Sequence, residues 1–186
     1  MPRPARIEVP GTTYHVTARG NAGAAIFVDD FDRLHLLQAI ARAVRELRWT
    51  CFAYCLLGNH YHLLARIAEP NLSRGMQRIH SGYVRRFNAR HARRGHVFGR
   101  RFHGRGVEGD EHLLSAAAYT VLNPVRAGIV ARPEEWRWSS YRATIGLDRS
   151  PDFLDADALL SLLSPSRERA RELFREMVEA GRAKSG

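Results

Sequence analysis

The chain has 186 residues, 45% hydrophobic and 26% charged, which excludes a wholly disordered or collagen-like chain and suits one domain with an extra terminal piece. Lys+Arg 29 against Asp+Glu 19 leaves a formal charge of +10, and Lys184 is the only lysine. Residues 66–105 hold eleven arginines and one acid, Glu69, interleaved with Tyr83, Phe87, Phe98 and Phe102, a local positive field with stacking groups that points to a nucleic-acid partner.

Thr12 to Arg19 alternates, with Tyr14, Val16 and Ala18 on one side and His15, Thr17 and Arg19 on the other, so it reads as a half-buried strand ending at Gly20-Asn21. From Asp29 or Asp30 to Arg48, Phe31, Leu34, Leu37, Ile40, Ala41, Val44 and Leu47 recur at helical spacing behind an acidic start. Thr50–Leu57 and His60–Ile67 read as strands joined at Gly58-Asn59 into a hairpin. Asn71 to about Arg90 is helical again, with Leu72, Met76, Ile79, Tyr83 and Phe87 on one stripe and Arg74, Arg78, Ser81 and Arg85 opposite. His96–Val107, punctuated by glycine, reads as a bent strand or hairpin. Asp110 is expected to cap a helix that runs to about Asn123 and stops at Pro124. Beyond Gly128 come the run EEWRWSSY, a Pro-Asp turn and two short helical patterns, Asp155–Leu163 and Ser166–Ala180.

Strand, helix, strand, strand, helix, strand predicts an α+β fold: a ferredoxin-like βαββαβ antiparallel sheet with its helices on one face, a further tyrosine-bearing helix, and a helical C-terminal extension. The expected division is a catalytic domain over 1–130 and an extension over 131–186 packed on it. Cys51 and Cys55, four apart on a strand, are too far separated for a disulfide and read as buried thiols. With no apolar run near 18 residues and prolines in the start MPRPARIEVP, the expectation is a cytoplasmic protein without a membrane partner.

His60 and His62, two apart on a strand, present both imidazoles to the face opposite Tyr61 and Leu63, a spacing that suits one metal ion and equally suits two solvent-facing histidines. On the helix from Asp110, the polar stripe His112, Ser115, Tyr119 and Asn123 places a phenol and an amide one turn apart. A metal pair beside an oriented hydroxyl matches the needs of phosphodiester transesterification. Arg19, on the strand neighbouring the histidines, could contact phosphate or pair with Asp110 or Glu111.

Four segments in order, YHVTARGN at 14–21, GNHYHLL at 58–64, YTVLNPVRAG at 119–128 and WRWSSY at 136–141, resemble the REP-associated tyrosine transposases, relatives of small insertion-sequence transposases with an HUH motif and one tyrosine. The resemblance covers residues 5 to 145. It implies an endonuclease and strand-transferase for single-stranded DNA, acting on palindromic hairpins through a 5′-phosphotyrosine with Mg²⁺ or Mn²⁺, as a monomer or homodimer. By that resemblance His60 and His62 are metal ligands, Asn123 a third, and Tyr119 the nucleophile. Arg74, Arg78, Arg85, Arg86, Arg100, Arg101 and His103 are then expected to grip the DNA backbone with Arg19. Tyr61, a second phenol between the histidines, leaves the opposite face of its strand and ranks well below Tyr119. The open alternatives are a non-catalytic hairpin DNA- or RNA-binding protein on the same fold and a nuclease using metal-activated water.

Overall fold

The computed structural model describes residues 7–183. The proline-bearing first six residues, including residues 5 and 6 of the matching region, and Lys184 lie outside the described residues. The first alternating segment is β1 (Thr13–Arg19), with Tyr14, Val16 and Ala18 buried. After it comes α1 (Asp30–Leu47), started by a capping box in which Asp29 accepts from the Asp32 amide and Asp32 reaches back to the Asp29 amide. Its buried stripe differs from the expected one. Asp32, Leu36, Ile40, Ala43, Val44 and Leu47 face inward, whereas Phe31 and Leu34 are exposed. Asp32 holds the first inward position because Arg90 and His91 both engage its carboxylate, at 2.9 and 3.0 Å.

The hairpin is β2 (Thr50–Leu56) and β3 (His60–Arg66), followed by α2 (Leu72–Arg90), β4 (His103–Val107) and α3 (Asp110–Arg126). All five apolar residues expected on the α2 stripe are buried. Of the glycine-rich segment only β4 is a strand, with an isolated bridge between Phe98 and Gly20. The sheet order is β2-β3-β1-β4, and every adjacent pair is antiparallel, the arrangement expected of a ferredoxin-like βαββαβ unit.

Two cores flank this sheet. Tyr14, Val16, Tyr61 and Leu63 pack under α1 and α2. The two helices of the ferredoxin-like unit thus share one face as expected, and on the other face Phe52, Ala53 and Leu64 pack under the further helix α3 and the C-terminal helices. A register shift between Cys51 and Ala53 turns both Phe52 and Ala53 toward this second core. The extension contributes α4 (Tyr141–Thr144), α5 (Ala156–Leu160) and α6 (Arg167–Ala183). Its Trp138 and Leu154 enter the first core and its Tyr141, Phe174 and Val178 the second. The WRWSSY run closes the free edge of β2: Leu56 N–H donates to the Trp138 carbonyl at 2.8 Å, and Ser140 N–H to the Tyr54 carbonyl at 2.9 Å. Cys51 and Cys55 are free and buried, and burial pushes the Cys51 thiol up to about 12. Among the described residues no helix is long and apolar enough to cross a membrane.

Candidate active site

In the sheet register Arg19 lies opposite His60 and Thr17 opposite His62, so β1 and β3 present one polar strip on the α3 side. The two imidazole centroids are 5.2 Å apart. Each ring is held through Nδ1. Asn59 Oδ1 lies 2.7 Å from His60 Nδ1 and accepts its hydrogen, leaving the His60 Nε2 lone pair available. His62 Nδ1 meets His15 Nε2 at 3.0 Å and Thr17 Oγ1 at 3.2 Å, with the His15 ring stacked on it at 5.1 Å. His62 Nε2 is buried without a hydrogen-bond partner. An orphaned imidazole nitrogen beside a second free one, both oriented from behind, is the arrangement of metal-ligating histidines. Burial holds His60 below its ordinary value, helped by Arg19. Burial with His15 and His60 takes His62 to about 3, so both rings are neutral, as ligands must be.

Helix α3 brings the tyrosine beside His62 and its neighbour His15. Its apolar side, Leu113, Leu114, Ala117, Ala118 and Val121, is buried as expected, while His112, Ser115 and Tyr119 are exposed. Tyr119 is 41% exposed. Its ring centroid is 5.7 Å from His15 and 6.2 Å from His62, and the Arg126 guanidinium lies 4.6 Å above it. The cap falls one residue earlier than expected, on Gly109, so that α3 starts at Asp110, and the helix does not stop at Pro124. Pro124 has no N–H for the Thr120 carbonyl, and the Asn123 side-chain amide supplies the missing donor at 3.2 Å while also bonding the Tyr119 carbonyl at 2.9 Å. The Asn123 NH₂ is thereby committed, and its carbonyl oxygen is the atom left for a ligand. Among the described residues no three His, Cys, Asp or Glu side chains group to hold an ion.

Tyr61 is fully buried on the opposite face, its hydroxyl 2.8 Å from His80 Nε2. The arginines divide between two surfaces. Arg19, Arg100, Arg101 and His103 line a cleft of about 920 Å³ that reaches Thr17. Arg78, Arg85 and Arg86 instead line a groove of about 400 Å³ between α1 and α2, across the sheet from the histidines, where Arg78 pairs with Glu46 at 3.3 Å. Arg74 is exposed on α2. Among the described residues Arg19 forms no ion pair with Asp110 or Glu111. Sequence reasoning took Asn59 as a turn residue only, although it also ties the β2–β3 turn to the loop after β1 through Gly23 O at 3.2 Å.

Residues 8–120, from before β1 to one residue past Tyr119, match the family described as "Transposase IS200 like". The chain belongs to this family. The transposase also shares its fold with a solved REP-associated tyrosine transposase bound to a REP hairpin: TM-score 0.66, 18% identity, 83% of this chain and 94% of that one covered. A tRNA(His) guanylyltransferase from Saccharomyces cerevisiae aligns at a TM-score of 0.41 and 11% identity, over 95% of this chain and 82% of its own. No curated protein matches the transposase closely enough to count as a relative.

Proposed function

We propose that this transposase nicks and rejoins single-stranded DNA at palindromic hairpins, with Tyr119 as nucleophile. The observation that carries the reading is the convergence, within one chain, of two neutral histidines with free Nε2 atoms and an accessible tyrosine whose ring centroid is 6.2 Å from that of His62. The solved relative's REP hairpin supports the choice of substrate.

Arg19, Arg100, Arg101 and His103 hold the DNA backbone in the cleft and bring the scissile phosphate to the strip on β1 and β3. His60, His62 and the Asn123 oxygen would hold Mg²⁺ or Mn²⁺, which when bound draws charge from the nonbridging phosphate oxygens and fixes the phosphate in place. The Tyr119 oxygen attacks phosphorus; its O–P bond forms as the bond from phosphorus to the 3′ oxygen breaks. The phenol's proton passes to solvent and the departing oxygen takes one up, leaving a 5′-phosphotyrosine and a free 3′-hydroxyl. Attack by a 3′-hydroxyl on that link rejoins strands and regenerates Tyr119. Phosphodiester bonds are conserved in number, so no nucleotide is consumed. Arg74, Arg78, Arg85 and Arg86 add field and further backbone contacts from α2.

The test is a single-stranded hairpin oligonucleotide with Mg²⁺ or Mn²⁺ and a search for an SDS-resistant protein–DNA adduct. Tyr119→Phe is expected to bind but form no adduct, and an adduct surviving that change would remove Tyr119 from the mechanism. His60→Ala with His62→Ala is expected to abolish cleavage and leave hairpin affinity largely intact.

A further inference from the structure

The segment 96–102 and α2 enclose a second cavity that the strand-transfer step does not use. Its volume is about 670 Å³, and its walls include Met76, His80, Val84, Val97, Phe98 and Phe102. Such a size is ordinary for a small-ligand site. Gly99, Arg100, Arg101 and Phe102 line both this cavity and the arginine cleft beside β1, so the two are contiguous.

The cavity's polar groups include Ser73, Ser81 and His96, and His80 is held in place by its neighbours. His80 stacks on Phe98 with centroids 4.1 Å apart and planes at 23°. Behind it, the buried Tyr61 hydroxyl has no other acceptor among the described residues, so it donates to His80 Nε2 at 2.8 Å. Burial holds His80 at about 4, and the neutral ring therefore carries its hydrogen on Nδ1. Among the described residues no protein acceptor meets that N–H. Gln77, exposed at the cavity's rim, adds an amide.

We infer that this cavity receives an unpaired nucleobase of the DNA strand lying in the cleft, with the His80–Phe98 stack as its platform and Arg100 and Arg101 on its flanking phosphates. The inference rests on reading the cleft as the DNA site. An apolar, aromatic hole has no use for phosphate, but it desolvates and stacks a base, and two cations on the shared wall suit the charges on either side of that base. A base held in a duplex cannot reach such a cavity, so the occupant is unpaired. His80 Nδ1–H and the Gln77 amide are the groups positioned to read its edge.

The test uses the full chain and a tailed hairpin oligonucleotide in which each unpaired nucleotide in turn is replaced by an abasic site, with binding followed by fluorescence anisotropy. The wild type is expected to lose roughly 5- to 150-fold in affinity at one unpaired position, the worth of one stacked base, and little elsewhere. Val84→Trp fills the cavity. Gln77→Trp covers its mouth from an exposed position and so places no burden on folding. Both variants should bind the intact probe about as weakly as the wild type binds the sensitive abasic probe, and should no longer register that abasic site. A flat abasic profile for the wild type, or variants that bind and discriminate as the wild type does, overturns the inference. The adduct assay is scored separately. An adduct with a flat abasic profile leaves the tyrosine mechanism standing and removes the pocket, whereas a sensitive position without adduct does the reverse.

Discussion

Asn123→Ala should destabilise the transposase through a carbonyl three residues away. The Tyr119 carbonyl keeps its helical partner, the Asn123 main-chain N–H, whether or not the side chain is present. The Thr120 carbonyl has no such partner, because residue 124 is proline, and the Asn123 amide at 3.2 Å stands in for it. Thr120 is fully buried, so water does not replace the amide. Orphaning a buried acceptor costs about 1–3 kcal/mol. For a chain of this size that lowers Tm by roughly 2–12 °C. Differential scanning calorimetry without metal reads this apart from any loss of ion binding. A Pro124→Ala background supplies the decisive control: alanine restores the N–H to the Thr120 carbonyl, so removing the Asn123 amide should cost about 1 kcal/mol less there. Equal costs in the two backgrounds would refute the amide's role as substitute donor.

The two glycines of α2 should respond oppositely to alanine. At Gly75 a Cβ would sit 2.2 Å from Trp49 Cζ2, and Trp49 is anchored through Nε1 to Asn71 Oδ1 at 2.6 Å, so Gly75→Ala should cost about 1–3 kcal/mol in urea unfolding. Gly82 has open space at that position, so Gly82→Ala should gain up to about 1 kcal/mol from helix propensity; loss at both sites would contradict the packing described. Burial pushes His80 down to about 4 in the folded chain, against about 6.5 for a free histidine, so the unfolded chain binds more protons between those values. Its contribution is complete above pH 6.5 and falls by roughly 2–3 kcal/mol by pH 4.5; in His80→Gln, which keeps an acceptor for Tyr61, the stability loss from pH 7 to 4.5 should shrink by that amount. Mixing Tyr119→Phe protein with the His60→Ala, His62→Ala double variant should not restore adduct formation, since both parts of the site meet within one chain; recovered adduct would show that the parts are exchanged between chains.

The site was more legible than the packing around it. Two-residue spacing on β3 and four-residue spacing on α3 are backbone periodicities, and they carried His60, His62, Tyr119 and Asn123 to one side of the sheet. The misread stripe of α1 has a different origin: its first inward residue is a carboxylate, Asp32, whose burial depends on Arg90 and His91 from the far end of α2. No local pattern announces a partner about sixty residues away. Pro124 misled for a similar reason, since its usual meaning as a stop assumes that no neighbouring side chain repairs the ladder. The third layer had a signal, for the uninterrupted apolar run of β2 suits a strand covered on both faces. The division of arginines between cleft and groove had none, because charge counts do not say which side of a helix meets which side of a sheet.

The hydrogen bonds that the WRWSSY segment makes along β2 give the sheet a direction. One margin is occupied by the chain's own tail, with the main-chain groups of Tyr54 and Leu56 already spoken for, while among the described residues no further strand pairs with β4 at the other margin. Lengthening of this sheet by any added strand is therefore a one-sided event. A shortened protein ending at residue 130 would keep every histidine and tyrosine of the site, yet it would trade that closed margin for a sticky one and take Trp138 from the first core and Tyr141 and Phe174 from the second. The self-standing unit of this transposase is defined by its seams, and those run well past its chemistry.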